Sequence, residues 1–151
     1  MTQLRPILLV DDNLNDIELA LTALRSNSFA NEVVVTRDGE EALDFLHRRG
    51  PFSDRPPASP IVMLLDLKMP KKDGLEVLRE MKADEALKTI PVVMLTSSRE
   101  ESDLVASYAL GVNAYVVKPV GFPEFMKAIR EIGVFWALIN EPPPVSVTKG
   151  K

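Results

Sequence analysis

Three aspartates, a threonine and a lysine stand where short apolar runs end. Ile61-Val62-Met63-Leu64-Leu65 leads straight into Asp66, and Ile7-Leu8-Leu9-Val10 into Asp11-Asp12. Ile90-Pro91-Val92-Val93-Met94-Leu95 ends in Thr96, and Ala114-Tyr115-Val116-Val117 in Lys118. Taken singly, each has an ordinary explanation. An aspartate at the end of a strand is often a turn residue or a cap, Thr96 suits a capping hydroxyl, and Lys118 suits a solvated surface. Taken together, they suit phosphoryl transfer. Crowded carboxylates repel, and the usual relief is a bound cation or a raised pKa. Oxygen ligands of this kind suit Mg²⁺. A transferred phosphoryl group spreads negative charge over three oxygens. Mg²⁺ can take one, Lys118 another, and the Thr96 hydroxyl with nearby backbone N–H groups the third. Asp66, ionised at neutral pH, needs no base to attack phosphorus and form an acyl phosphate.

Such a set works only if the chain brings it to one place. A continuous apolar run bounded by a turn reads as a strand buried on both faces. The strands expected are β1 at Ile7–Val10, β2 at Glu32–Thr36, β3 at Ile61–Asp66, β4 at Ile90–Thr96 and β5 at Ala114–Pro119. Apolar residues at helical spacing fill the gaps. Ile17, Ala20, Leu21 and Leu24 give α1, with Asn13 or Asn15 as its cap. Asp38-Gly39-Glu40-Glu41 opens α2, whose buried side is Ala42, Leu43, Phe45 and Leu46. Helix α3 covers Gly74–Lys82 with Val77, Leu78 and Met81 inward. Helix α4 starts near Ser98, carries Leu104, Val105, Tyr108 and Ala109, and stops at Gly111. Helix α5 runs from Pro123 to Asn140, with Phe122, Phe125, Met126, Ile129 and Ile132 toward the sheet. Five such units imply an α/β protein, with a parallel sheet covered by helices on both faces. In a sheet of that kind the carboxyl ends of the strands share one edge, where ligands bind.

The chain of 151 residues fits one domain at 1–140 followed by a proline-rich tail at 141–151. A net charge of −4 argues against nucleic acid as a partner. The absence of cysteine excludes disulfides, thiolate metal sites and cysteine nucleophiles. Neither a signal peptide nor an apolar run long enough for a bilayer is visible, so no membrane partner and a cytoplasmic location are expected. The Gly50–Pro60 stretch, with Pro51, Pro56, Pro57 and Pro60, reads as a non-helical surface insertion without chemistry. Lys71 and Lys72 read as a solvated loop, and His47, the one histidine, as a surface residue of α2. A flavin- or nucleotide-binding protein of similar fold is the competing class. It would need a glycine- or hydroxyl-rich phosphate loop after β1, where Asp11-Asp12 would repel phosphate. A DNA-binding regulator would need a helix-turn-helix domain, for which no room is expected after α5.

Val10-Asp11-Asp12, Asp38-Gly39-Glu40-Glu41-Ala42, Leu65-Asp66-Leu67-Lys68-Met69-Pro70 with Asp73-Gly74, Leu95-Thr96-Ser97 and Lys118-Pro119 together resemble the receiver domains of bacterial two-component response regulators. The match covers residues from about 5 to 140. It implies a flavodoxin-like (βα)5 three-layer sandwich with strand order 2-1-3-4-5. It implies a sensor histidine kinase whose phosphohistidine donates to Asp66. It implies Mg²⁺, or Mn²⁺ in its place, held directly by Asp12, Asp66 and the Lys68 backbone carbonyl, and by Asp11 through water. It also implies a cis Lys118–Pro119 peptide, and a protein that catalyses only its own phosphorylation and dephosphorylation. Gly121 departs from the acidic cap the family often places before the last helix, and Lys68 adds a cation two residues beyond Asp66. A phosphorelay intermediate or a phosphate sink fits the same residues.

A phosphoryl group adds roughly −1.5 to −2 charge at Asp66, which must bias a two-state element to carry a signal. Thr96 can move toward a phosphoryl oxygen, and Tyr115 matches the family's switch aromatic. The α5 ending Val134-Phe135-Trp136-Ala137-Leu138-Ile139 is apolar all round, so Phe135, Trp136, Leu138 and Ile139 are expected in a homodimer interface. That ending, with the Gly50–Pro60 stretch, resembles the regulators paired with bacterial and cyanobacterial phytochrome kinases. The resemblance implies a bacteriophytochrome-type partner and a dimer through the α4-β5-α5 face.

Overall fold

Every strand of the sheet runs parallel, and its register explains how residues distant in sequence meet. The computed structural model describes residues 5–25, 31–96, 108–118 and 121–132. The elements are β1 (Ile7–Val10), α1 (Leu14–Arg25), β2 (Val33–Thr36), α2 (Gly39–His47), β3 (Val62–Asp66), α3 (Gly74–Lys82), β4 (Val92–Thr96), β5 (Ala114–Val117) and α5 (Phe122–Ile132). Of α4, the described part is the helical pair at 108 and 109. The strand order is β2-β1-β3-β4-β5, as the resemblance implied. Val10 lies opposite both Thr36 and Leu65, Asp66 opposite Leu95, and Thr96 opposite Val117. The strands therefore finish nearly level, and the residues that follow crowd onto one edge.

The sheet is sandwiched because side chains alternate across it. Ile7 and Leu9 of β1, Val62 and Leu64 of β3, and Val93 and Leu95 of β4 face Ile17, Ala20, Leu21 and Leu24 of α1 and Phe125, Met126 and Ile129 of α5. Leu8, Val10, Met63, Leu65, Val92 and Met94 face the other way, onto Ala42, Leu43, Phe45 and Leu46 of α2 and Val77, Leu78 and Met81 of α3. Both layers use the apolar positions expected from helical spacing. The side chains of Phe122 and Ile132, and the α5 extension to Asn140, lie outside the described residues.

Caps set the helix starts at the strands' carboxyl edge. Asn13, not Asn15, caps α1, its Oδ1 accepting from the Asp16 N–H at 3.0 Å. Asp38 accepts from the Glu41 N–H at 2.8 Å at the start of α2. Asp73 and Glu76 form a reciprocal capping box at the start of α3. Lys71 and Lys72 are less free than a solvated loop suggests. Lys71 adopts φ 66 and approaches Asp38 at 3.6 Å, and Lys72 pairs with Glu80 at 2.7 Å.

The 50–60 stretch is an ordered surface loop, apart from one short helical turn that its glycine and prolines did not suggest. It opens with a 3₁₀ turn at Gly50–Phe52, and the Phe52 ring meets the Phe45 ring edge-on at 5.3 Å. The Arg55 guanidinium lies 4.0 Å over the Phe45 ring and donates to the carbonyls of Phe45, Pro56 and Ala58. Arg5 donates to the carbonyls of Ser59 and Pro60. The two arginines thus satisfy carbonyls of a proline-rich stretch that is short of N–H donors, and Arg55 also ties it to the end of α2.

Gly74 makes the turn after β3 fit. Its N–H donates to the Leu67 carbonyl at 2.9 Å, and a Cβ there would overlap the Asp66 carbonyl oxygen and crowd the Leu67 backbone. Backbone atoms cannot swing away as a side chain can. Gly74→Ala is expected to destabilise the fold by about 2–3 kcal/mol, read by urea unfolding.

Candidate functional site

Lys118 is the centre of the site. Its Nζ lies 2.9 Å from Asp11 Oδ2, 3.0 Å from Asp66 Oδ1 and 3.0 Å from Asp16 Oδ2. It reaches them from the end of β5, across the ends of β4 and β3. The lysine read as an ordinary surface group when taken alone is 9% exposed at its side chain. Asp11 and Asp66 are buried at 1% and 5%. Asp11 uses its second oxygen to accept from the Asn13 N–H at 3.0 Å. Asp12 is half-buried, and its carbonyl accepts from the Arg37 guanidinium at 3.2 Å.

Asp11, Asp12 and Asp66 each bring a carboxylate oxygen within 4.8 Å of the others. That spacing and that donor chemistry fit a divalent cation bound by oxygen. Lys68, whose carbonyl the resemblance adds to the set, is exposed in the turn after Asp66. Thr96 ends β4 beside Asp66, and its side chain lies outside the described residues. So do Pro119, with the expected cis peptide, and the interface residues Phe135, Trp136, Leu138 and Ile139. Tyr115 is half-buried, its ring edge-on to Tyr108 with centroids 5.9 Å apart. His47 is exposed and 3.9 Å from Asp84. As the last residue of α2, which runs antiparallel to the strands, it points to the opposite edge of the sheet.

Asp16 is the residue that sequence reasoning missed. It sits in the first turn of α1, and 102 positions separate it from Lys118. A usable signal was present. A helix entered from the carboxyl end of a strand starts at the site, so an acid in its first turn lies close to the acids that end the strand.

The charges hold one another in unusual states. Burial raises the Asp66 carboxyl, Lys118 opposes that shift, and the Asp11 and Asp12 charges add to it. The result is a pKa of about 6. Burial pulls the Lys118 ammonium down, but its hydrogen bonds to Asp11, Asp16 and Asp66 outweigh this and hold it above the usual lysine value. Lys118 is therefore a permanent cation, and Asp66 a carboxylate with an unmet demand for positive charge.

A family model for the response regulator receiver domain matches residues 7–130. The chain belongs to the response regulator receiver family. It is similar to the response regulator Rcp1 of Synechocystis sp., with 42% identity over 130 residues, 86% of this chain and 87% of Rcp1. A solved structure of the Mn²⁺-bound form of Rcp1 superposes with a TM-score of 0.73 at 41% identity, covering 88% of this chain and 94% of that one. The bacteriophytochrome response regulator AtBRR is 64% identical with a TM-score of 0.85, covering 93% of this chain and all of that one. The phosphorylated cyanobacterial phytochrome response regulator RcpA is 42% identical with a TM-score of 0.74, covering 89% and 94%. The flavodoxin-like arrangement expected of a receiver is thus the fold these proteins share. Among the described residues, no helix is long and apolar enough to cross a membrane.

The raised Asp66 carboxyl makes a pH prediction for this receiver. The folded protein holds the Asp66 proton more tightly than the unfolded chain does. Stability from this group is therefore lost as pH rises from the ordinary 3.8 through about 6. Without divalent metal, Asp66→Asn is expected to gain about 2 kcal/mol on the wild type between pH 4.5 and pH 7.5. Urea unfolding at the two pH values in a chelator checks this.

Proposed function

We propose that this receiver accepts a phosphoryl group on Asp66 from a histidine kinase and passes the signal on through the face built by α4, β5 and α5. The observation that carries the reading is the Lys118 ammonium 3.0 Å from the Asp66 carboxylate, beside a converging set of Asp11 and Asp12 oxygens. An Asp66 oxygen attacks phosphorus, the P–N bond of the phosphohistidine breaks, and its electron pair returns to the imidazole nitrogen. Lys118 holds one phosphoryl oxygen and the Thr96 hydroxyl another. Asp12 and Asp66, with the Lys68 carbonyl and with Asp11 through water, would hold Mg²⁺ or Mn²⁺, which supplies charge neutralisation there. Both Asp11 oxygens already accept hydrogen bonds, which suits a ligand acting through water. The protein catalyses only its own phosphorylation and dephosphorylation.

Thr96 drawn toward the phosphoryl group frees space behind it for the Tyr115 ring. In the resting form that ring rests on Tyr108 and borders a cavity of about 550 Å³ with Lys118, Lys127 and Glu131. The apolar residues Phe135, Trp136, Leu138 and Ile139 serve a homodimer through the same face. Likeness to AtBRR and RcpA supports a phytochrome-type kinase as the donor.

With acetyl phosphate and Mg²⁺, the wild type is expected to take up acid-stable, base-labile label, and Asp66→Asn none. A folded wild type that takes up no label would overturn the reading. In sedimentation velocity the protein is expected at twice its chain mass. A monomer both with and without a phosphoryl mimic counts against the dimer.

A further inference from the structure

The Tyr115 ring does not stand alone in the resting form. The Tyr108 ring meets it edge-on, with 83° between the planes and 5.9 Å between centroids, a geometry that aromatic pairs favour. Tyr108 is 51% exposed, so its ring is not part of the core. We propose that Tyr108 is a brake on the switch: a positioning residue whose ring holds Tyr115 in the resting position and is left behind when Asp66 is phosphorylated. The inference rests on the reading that Thr96 and Tyr115 respond to the phosphoryl group.

The register sets the direction in which Tyr115 would move. Tyr115 lies opposite Met94, and Val117 opposite Thr96. Thr96 therefore stands two residues nearer the carboxyl edge, roughly 7 Å along the strand. A ring drawn toward Thr96 travels that way. Tyr108 is tied to the other end of the sheet. Its carbonyl accepts from the Gly111 N–H at 3.0 Å, and Gly111, at φ 86, turns the chain out of the helix. Asn113 then joins Val92, the first residue of β4. The Asn113 N–H donates to the Val92 carbonyl and its Oδ1 accepts from the Val92 N–H, both at 2.9 Å. The turn after Tyr108 is thus fastened to the amino edge, so Tyr108 does not follow Tyr115. Resting on Tyr108 and moving beside Thr96 are competing positions for one ring.

The brake is a bias and not a lock, because one edge-on pair contributes only modestly. A phosphoryl mimic that favours the moved state binds with an apparent affinity reduced by the fraction of chains in that state. Removing the Tyr108 ring should raise the fraction. The full chain, saturated with Mg²⁺, is titrated with beryllofluoride as the mimic. Tyr108→Ala is expected to lower the midpoint about two- to tenfold, while Tyr108→Phe, which keeps the ring, stays near the wild type. In a Tyr115→Ala background, which has no ring to hold, Tyr108→Ala is expected to leave the midpoint unchanged. A residue with only a structural role would lower the melting temperature and act equally in both backgrounds. An unchanged or raised midpoint in Tyr108→Ala, or an equal shift in both backgrounds, overturns the proposal. The wild type supplies a second test. Cross-relaxation between the Tyr108 and Tyr115 ring protons should be seen with Mg²⁺ alone and lost when beryllofluoride is added, and a contact that persists overturns the proposal. A wild type that takes label, and whose Tyr115 ring resonances shift with the mimic, keeps the switch reading even where these tests sink the Tyr108 proposal alone. Label uptake with fixed Tyr115 resonances sinks the switch reading and this proposal together. A wild type that takes no label sinks the phosphoacceptor reading as well.

Discussion

Among the described residues, four carboxylates crowd the carboxyl edge of this sheet, and three of them share the Lys118 ammonium. Lys118 bridges Asp11, Asp16 and Asp66, Asp12 stands beside Asp11 and Asp66, and Asp11 and Asp66 are nearly closed to water. Burial makes every unmet charge expensive. Burial lifts Asp66 to about 6, while hydrogen bonds to Asp11, Asp16 and Asp66 hold Lys118 above the usual lysine value against its own burial. It also leaves the site ready for positive charge from a metal.

The scaffold makes this crowding tolerable. Parallel strands with both faces covered carry continuous apolar sequence, and β1 and β3 are buried along their whole length. Their register brings Asp11 and Asp66 side by side with little slack. The capped starts of α1, α2 and α3 lie along that edge, so backbone N–H groups and helix dipoles offset part of the negative charge. Gly74 lets the chain turn back against the Asp66 carbonyl. Asp66 therefore stands on a strand buried along its whole length, while the side chains around it differ in how deeply they are buried.

That gradient links the site to the rest of the domain. Lys118 directly follows β5, the strand that carries Tyr115, and the Tyr115 ring packs on Tyr108 in the described part of α4. Asp16 belongs to α1, packed on the other face of the sheet. Lys118 thus connects elements that pack on both faces of the sheet.

Local chemistry made much of this legible without coordinates. Continuous apolar runs marked the strands, helical spacing picked out the buried sides of α1, α2, α3 and α5, and residue types at the run ends marked Asp11, Asp12, Asp66, Thr96 and Lys118. These properties depend on near neighbours and on the period of the backbone, so sequence alone determines them. Asp16 was legible only as an acid in the first turn of α1, because its contact with Lys118 spans 102 positions and exists only once strand register and the α1 crossover are set. The pairing of Lys71 with Asp38 and the anchoring of the 50–60 stretch by Arg5 and Arg55 were likewise decided by tertiary structure. A polar side chain carries no sign of its partner in the local pattern. Only packing determines which carboxylates must share a cation.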